Sequence, residues 1–136
     1  LGGISMKIST KGRYALTVMI HLGRSFYDDH YLSLTEISER EKISLKYLEK
    51  IMISLKKADF FDVQKGKDGG YKLKKSPEGI TIGSIIRAAE EELDIVDCVK
   101  SDGCPNKDKC GTYPLWKGLS DEINDYLDGK TLKEFI

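Results

Sequence analysis

Three cysteines stand at even intervals in the second half of the chain: Cys98, Cys104 and Cys110, each six residues from the next. The loop between them carries Ser101, Asp102, Gly103, Pro105, Asn106, Lys107 and Asp108, with almost nothing apolar. Structural cysteines are usually buried among apolar neighbours, and an odd number of them does not make a disulfide framework. Thiols in such a polar setting read as soft-metal ligands or redox groups. The loop cannot offset its ordering entropy by burial, so a bound metal would supply the stabilisation. Structural zinc commonly takes paired ligands two to four residues apart. The gaps here hold five residues, and His21 and His30 lie far upstream. An iron–sulfur cluster accepts thiolates mixed with other donors, so three cysteines plus one further ligand suit a 2Fe–2S cluster. Spacing alone leaves zinc and unmetallated thiols open.

The rest of the chain must position that loop. Its 136 residues are enough for one domain. Lys/Arg and Asp/Glu number 22 each, giving zero formal net charge, but they are unevenly placed. Residues 1–75 hold 15 basic and 9 acidic side chains; residues 76–136 hold 7 and 13. A basic half beside an acidic half suggests that the first meets a polyanion, although chance can also divide charges this way. No run of 18 apolar residues occurs, which excludes a membrane-spanning helix. No secretory leader pattern is present, and a cytoplasmic protein is expected. Residues 1–5 precede Met6 and read as an appended remnant.

Ser9 or Thr10 can cap a first helix carrying Ala15, Leu16, Val18, Met19 and Leu22 at helical spacing. Asp28-Asp29-His30 is a polar break. Ser33 and Glu36 have capping-box spacing, opening a short helix over about 34–40. Ser44 caps a third helix reaching about Ala58, whose inward stripe is Leu45, Leu48, Ile51, Met52 and Leu55. Lys46, Tyr47, Glu49 and Lys50 face outward. Residues 61–65 and 71–74 alternate with period two about a Gly-rich turn, as a β-hairpin does. Two short helices with a tight connection and then a basic hairpin make a winged helix-turn-helix.

The expected fold is mainly α with a small β-hairpin: a winged helix-turn-helix plus a long C-terminal dimerisation helix. Residues 6–75 form the DNA-binding region, 76–97 a connecting helix, 98–110 the cysteine loop, and 111–136 the dimerisation helix and tail. The connecting helix opens at Thr81 with Ile82, Ile85, Ile86 and Ala89 inward and ends in Glu90-Glu91-Glu92. In the last helix, Leu115, Trp116, Leu119, Ile123, Tyr126 and Leu127 form a stripe that a small domain cannot fully cover. It can pair two copies or pack on its own winged helix.

A winged helix places its third helix in the major groove of DNA. Ser44, Lys46, Tyr47, Glu49 and Lys50 are then candidates for base edges or phosphates. Glu49 can accept from cytosine N4 or repel wrong sequences; an exposed ion pair with Lys46 or Lys50 is the alternative. Lys7, Lys11 and Arg13, with Lys65 and Lys67 of the wing, are candidate phosphate clamps. No nucleophile–base set, phosphate loop or cofactor fingerprint appears, so an enzyme is not expected.

Certain stretches carry a resemblance: residues 6–15, Ile37-Ser38-Glu39-Arg40, residues 43–49, Gly69-Gly70-Tyr71-Lys72-Leu73, the three cysteines, and Leu115-Trp116. Together they resemble the iron–sulfur cluster regulator (IscR-like) family of bacterial winged-helix transcription factors. The resemblance implies a homodimer whose 2Fe–2S cluster, held by Cys98, Cys104 and Cys110, controls promoter choice, typically at cluster-assembly genes. It also implies that Glu49 helps discriminate DNA sites. Two positions depart from the family pattern. The family's fourth ligand, a histidine, is replaced by Tyr113, a poorer donor since free tyrosine titrates near about pH 10. A carboxylate such as Asp102 or Asp108, or one from a partner's first helix, can substitute. Lys65 replaces an arginine suited to a narrow minor groove. A similar cysteine-metabolism repressor type lacks the cysteine triad; a cluster-free thiol- or partner-sensing repressor of that kind is the alternative reading.

Overall fold

The computed structural model describes residues 8–90 and 111–136. Ser9, not Thr10, caps the first helix: its hydroxyl accepts from the Gly12 N–H at 3.2 Å. Helix α1 then runs Thr10–Phe26. Ala15, Val18, Met19 and Leu22 are fully buried, while Leu16 is only half-buried.

Helix α2 spans Leu34–Glu41 and starts where the Ser33 hydroxyl accepts from the Glu36 N–H at 3.2 Å. It ends on Lys42 in the left-handed conformation, φ 58°, the usual way to reverse a chain after a helix. The Ser38 hydroxyl donates to the Ile43 carbonyl at 2.6 Å and closes that turn. Ser44 caps helix α3, Leu45–Lys56, by accepting from the Tyr47 N–H at 3.1 Å. Leu48, Ile51, Met52 and Leu55 are buried as their spacing predicts. Leu45 is not: it is 40% exposed. As the first residue of α3 it lies at the end of the stripe, beyond the reach of the core.

Strand β1 (Phe61–Gln64) pairs antiparallel with β2 (Gly70–Leu73), with Phe61 opposite Leu73 and Val63 opposite Tyr71. Leu32 adds a bridge on the other edge of β2, exchanging hydrogen bonds of 2.9 and 2.8 Å with Tyr71. The wing is thereby tied to the residues that lead into α2. Gly70 has φ 153°, and a Cβ there would collide with the Leu32 backbone.

Helix α4, Ile82–Ala89, is capped by Thr81, whose hydroxyl accepts from Ser84 N–H at 3.1 Å. It buries Ile82, Ile85, Ile86 and Ala89 and packs chiefly on α1. It stops one residue short of Glu90, whose carboxylate instead accepts from the Ser9 N–H at 2.5 Å, at the start of α1. Helix α5, Tyr113–Asp128, packs on α4. The Arg87 guanidinium clamps the pair, donating to both Asp128 carboxylate oxygens at 2.6 and 2.9 Å and to Asn124 at 3.0 Å. The chain then returns beside residues 80–82: Leu132 N–H donates to Ile80 and Ile82 N–H to Lys130. Leu132 is fully buried, so the tail belongs to the chain's own core. The five α-helices and one antiparallel hairpin of the described residues are the expected winged-helix class.

Candidate nucleic-acid interface

The outward face of α3 carries Ser44, Lys46, Glu49 and Lys50, all exposed. Tyr47 departs from the expectation that it faces out. It is half-buried, with its ring edge-on to Tyr14 of α1, centroids 5.8 Å apart. Position 47 shares a helix side with buried Ile51, four residues on. An amphipathic tyrosine suits that boundary, with its ring packed and its hydroxyl wet. Tyr47 therefore braces α3 against α1.

A hollow of about 300 Å³ joins the starts of these two helices, lined by Thr10, Tyr14, Lys42, Ile43, Ser44 and Tyr47. Arg13 is exposed nearby and its guanidinium donates to the Thr10 hydroxyl at 3.2 Å. Lys11 is half-buried. The first turns of α1 and α3 thus share one surface, as the clamp residues require. Lys7 lies outside the described residues.

Between α3 and the wing runs a groove of about 430 Å³, lined by Glu49, Met52, Ile53, Lys56, Phe61, Val63, Lys65 and Tyr71. Lys65 therefore faces the recognition helix. Lys67, at the wing turn, lines a different hollow with His30, Tyr31, Ser33 and Glu36. Burial first, and the Glu49 charge second, push the Tyr71 hydroxyl's pKa up, so it stays protonated and able to donate. Other wing lysines are already engaged. Lys72 pairs with Asp29, and Lys74 with Asp59 at 2.6 Å. Those hydrogen bonds hold both carboxyls below the usual carboxylate range. Among the described residues, Lys46, Lys50, Lys56, Lys65 and Lys67 form no ion pair. Four uncommitted ammonium groups on or beside α3, with Lys67 at the wing turn, can neutralise phosphates.

Reading the sequence missed Lys56, Ile53, Val63 and Tyr71. The first two carry a signal: positions 46, 49, 53 and 56 continue one helical face. Val63 and Tyr71 join the groove only through the strand register. The cysteines, with Asp102 and Asp108, lie outside the described residues. Tyr113 is half-buried at the first position of α5.

The model of the Rrf2 family, described as iron-dependent transcriptional regulators, matches residues 8–136. The chain belongs to the Rrf2 family. Among its Rrf2 relatives is the HTH-type transcriptional regulator IscR of Pectobacterium carotovorum, 39% identical over 131 residues, covering 96% of this chain and 79% of the relative. The structure of IscR from T. potens superposes with TM-score 0.76 at 31% identity, over 96% of this chain and 85% of that one. That of CymR, the global cysteine regulator of B. subtilis, does so with TM-score 0.78 at 36% identity, over 96% and 95%. As an Rrf2 protein, the chain is a DNA-binding transcriptional regulator and not an enzyme. Among its described residues, no helix is long and apolar enough to cross a membrane.

Proposed function

We propose that this regulator selects its promoters through a 2Fe–2S cluster held by Cys98, Cys104 and Cys110, and that it acts as a cytoplasmic homodimer on genes of cluster assembly. The observation that carries the reading is the cysteine triad in a chain 39% identical to a protein named IscR. The donor set suits the cluster: three soft thiols, with an oxygen donor for the fourth place. Tyr113, half-buried at the start of α5 and three residues past Cys110, is the candidate for that place. When bound, the cluster supplies a redox-active centre that oxidants can destroy.

The chain's own residues do the recognition. Lys46 and Lys50 approach base edges or phosphates from α3, and the Ser44 hydroxyl, already capping the helix, can donate to a phosphate. Glu49 accepts from cytosine N4. Lys11, Arg13, Lys65 and Lys67 hold the phosphate backbone on either side. The dimer reading is supported by α5, where Leu115 and Tyr126 are each 63% exposed. Ile123 and Leu127 of the same helix pack only partly on the core.

The likeness to CymR favours a second reading: a cluster-free repressor of cysteine metabolism that responds to thiol oxidation or to a partner protein. Replacing all three cysteines with serine separates the two. The cluster reading predicts that air-free triple variant binds a different set of promoter fragments from the air-free parent. Unchanged promoter choice, with an oxidant response lost in the variant and iron found in neither protein, would support the second.

A further inference from the structure

Ile53 is 68% exposed on the surface that the lysines make ready for a polyanion. Val63, across the groove on β1, is 49% exposed. An isoleucine side chain gains nothing from phosphate, and water around it is unfavourable. It lies four residues beyond Glu49 and seven beyond Lys46, on the same helical face. Its groove neighbours include Lys56 and Lys65, which anchor the backbone on either side of whatever it touches. The base-edge group that rewards an apolar contact in the major groove is the thymine 5-methyl.

We propose that Ile53 is a specificity-determining residue that packs on a thymine methyl in the operator. The inference rests on the reading of α3 as the recognition helix. Four residues of helix rise about 6 Å, close to two base-pair steps of ~3.4 Å each. The thymine therefore lies within about two or three base pairs of the position read by Glu49. Ile53 is solvent-facing, so shortening it leaves the core of α3 intact.

The full chain is first used to select binding sites from a random duplex library. Each thymine of the selected duplex is then replaced by deoxyuridine, which removes the methyl and keeps the pairing. Binding is measured for the parent, Ile53→Ala and Ile53→Ser. In the parent, one thymine per half-site loses about fourfold in affinity on losing its methyl, the value of one buried carbon group. In both variants that loss disappears, and the sensitive position lies within three base pairs of the one relaxed by Glu49→Gln. Tolerance of deoxyuridine everywhere by the parent overturns the proposal, as does a uracil penalty that persists in Ile53→Ala. Loss of self-association in Ile53→Ala, with thymine preference kept, also overturns it and assigns the face to a second copy. A library that yields no preferred sequence at all fails the recognition-helix reading itself, a result distinct from the other three.

Discussion

Glu49 places a carboxylate on a surface otherwise furnished with lysines, where its charge adds to burial in pushing up the pKa of the neighbouring Tyr71 hydroxyl. Repelling phosphate is a cost, and under the proposed function the return is discrimination among bases. Local chemistry of this kind is legible in sequence, and so are the caps. The sequence marks Ser33 and Ser44 as caps, and both hold their helices by the hydrogen bond expected of a hydroxyl cap. Leu45 and Tyr47 depart from the helical period because inside and outside depend on where the neighbouring elements end, which period alone does not encode. Asp128 offers a test at this scale. Its hydrogen bonds to Arg87 hold its carboxyl below the usual carboxylate range. A carboxylate depressed in the folded state stabilises above its unfolded pKa, and that contribution is lost as pH falls through the folded value. Thermal unfolding should therefore show Asp128→Asn less stable than the parent at pH 7, with the gap closing below about pH 4. The pair is half-exposed, so the gap should stay under about 1 kcal/mol. A gap that widens in acid would contradict the clamp.

The wing shows what one element owes to another. Its strands fall within a residue of their sequence bounds, because alternation and a Gly-rich turn are local signals. Its anchoring to Leu32 was not legible, since a single bridge between positions 39 apart in the chain has no sequence pattern. Gly70 meets that bridge with positive φ and no room for a side chain. Gly70→Ala should cost roughly 2 kcal/mol of stability and weaken operator binding by displacing Lys65. Gly66 also has positive φ, 110°, but nothing lies within 4 Å of an added Cβ. Gly66→Ala should cost only about 1 kcal/mol, from backbone strain alone. Chemical denaturation of both variants checks the order, and an equal loss would remove the Leu32 contact as its cause. The C-terminal tail was likewise unforeseen. Leu132 seals the core against α1 at Gly23, whose added Cβ would meet Ile136 at 2.8 Å.

At the scale of the molecule, a neutral chain divides into a basic winged helix-turn-helix and an acidic remainder that carries the thiols. The two share one core, with α4 packed on α1 and Leu132 meeting α1 at Gly23, and Glu90, the last described residue before the cysteine segment, holds the N-terminus of α1 beside the start of α3. The fold was readable because periodicity, caps and turn residues agree on each element. The ligand geometry was not, because a metal site is defined by donors that only the folded chain and the ion bring together. The proposed cluster sits on three sulfurs, Cys98, Cys104 and Cys110. Its most direct test is iron and acid-labile sulfide content, read with the visible absorption spectrum, of the full chain purified without air. Red-brown protein with iron and sulfide in equal amount is expected, with both lost in the triple cysteine-to-serine variant. Colourless protein that carries stoichiometric zinc, or that takes up no iron on reconstitution, would contradict it.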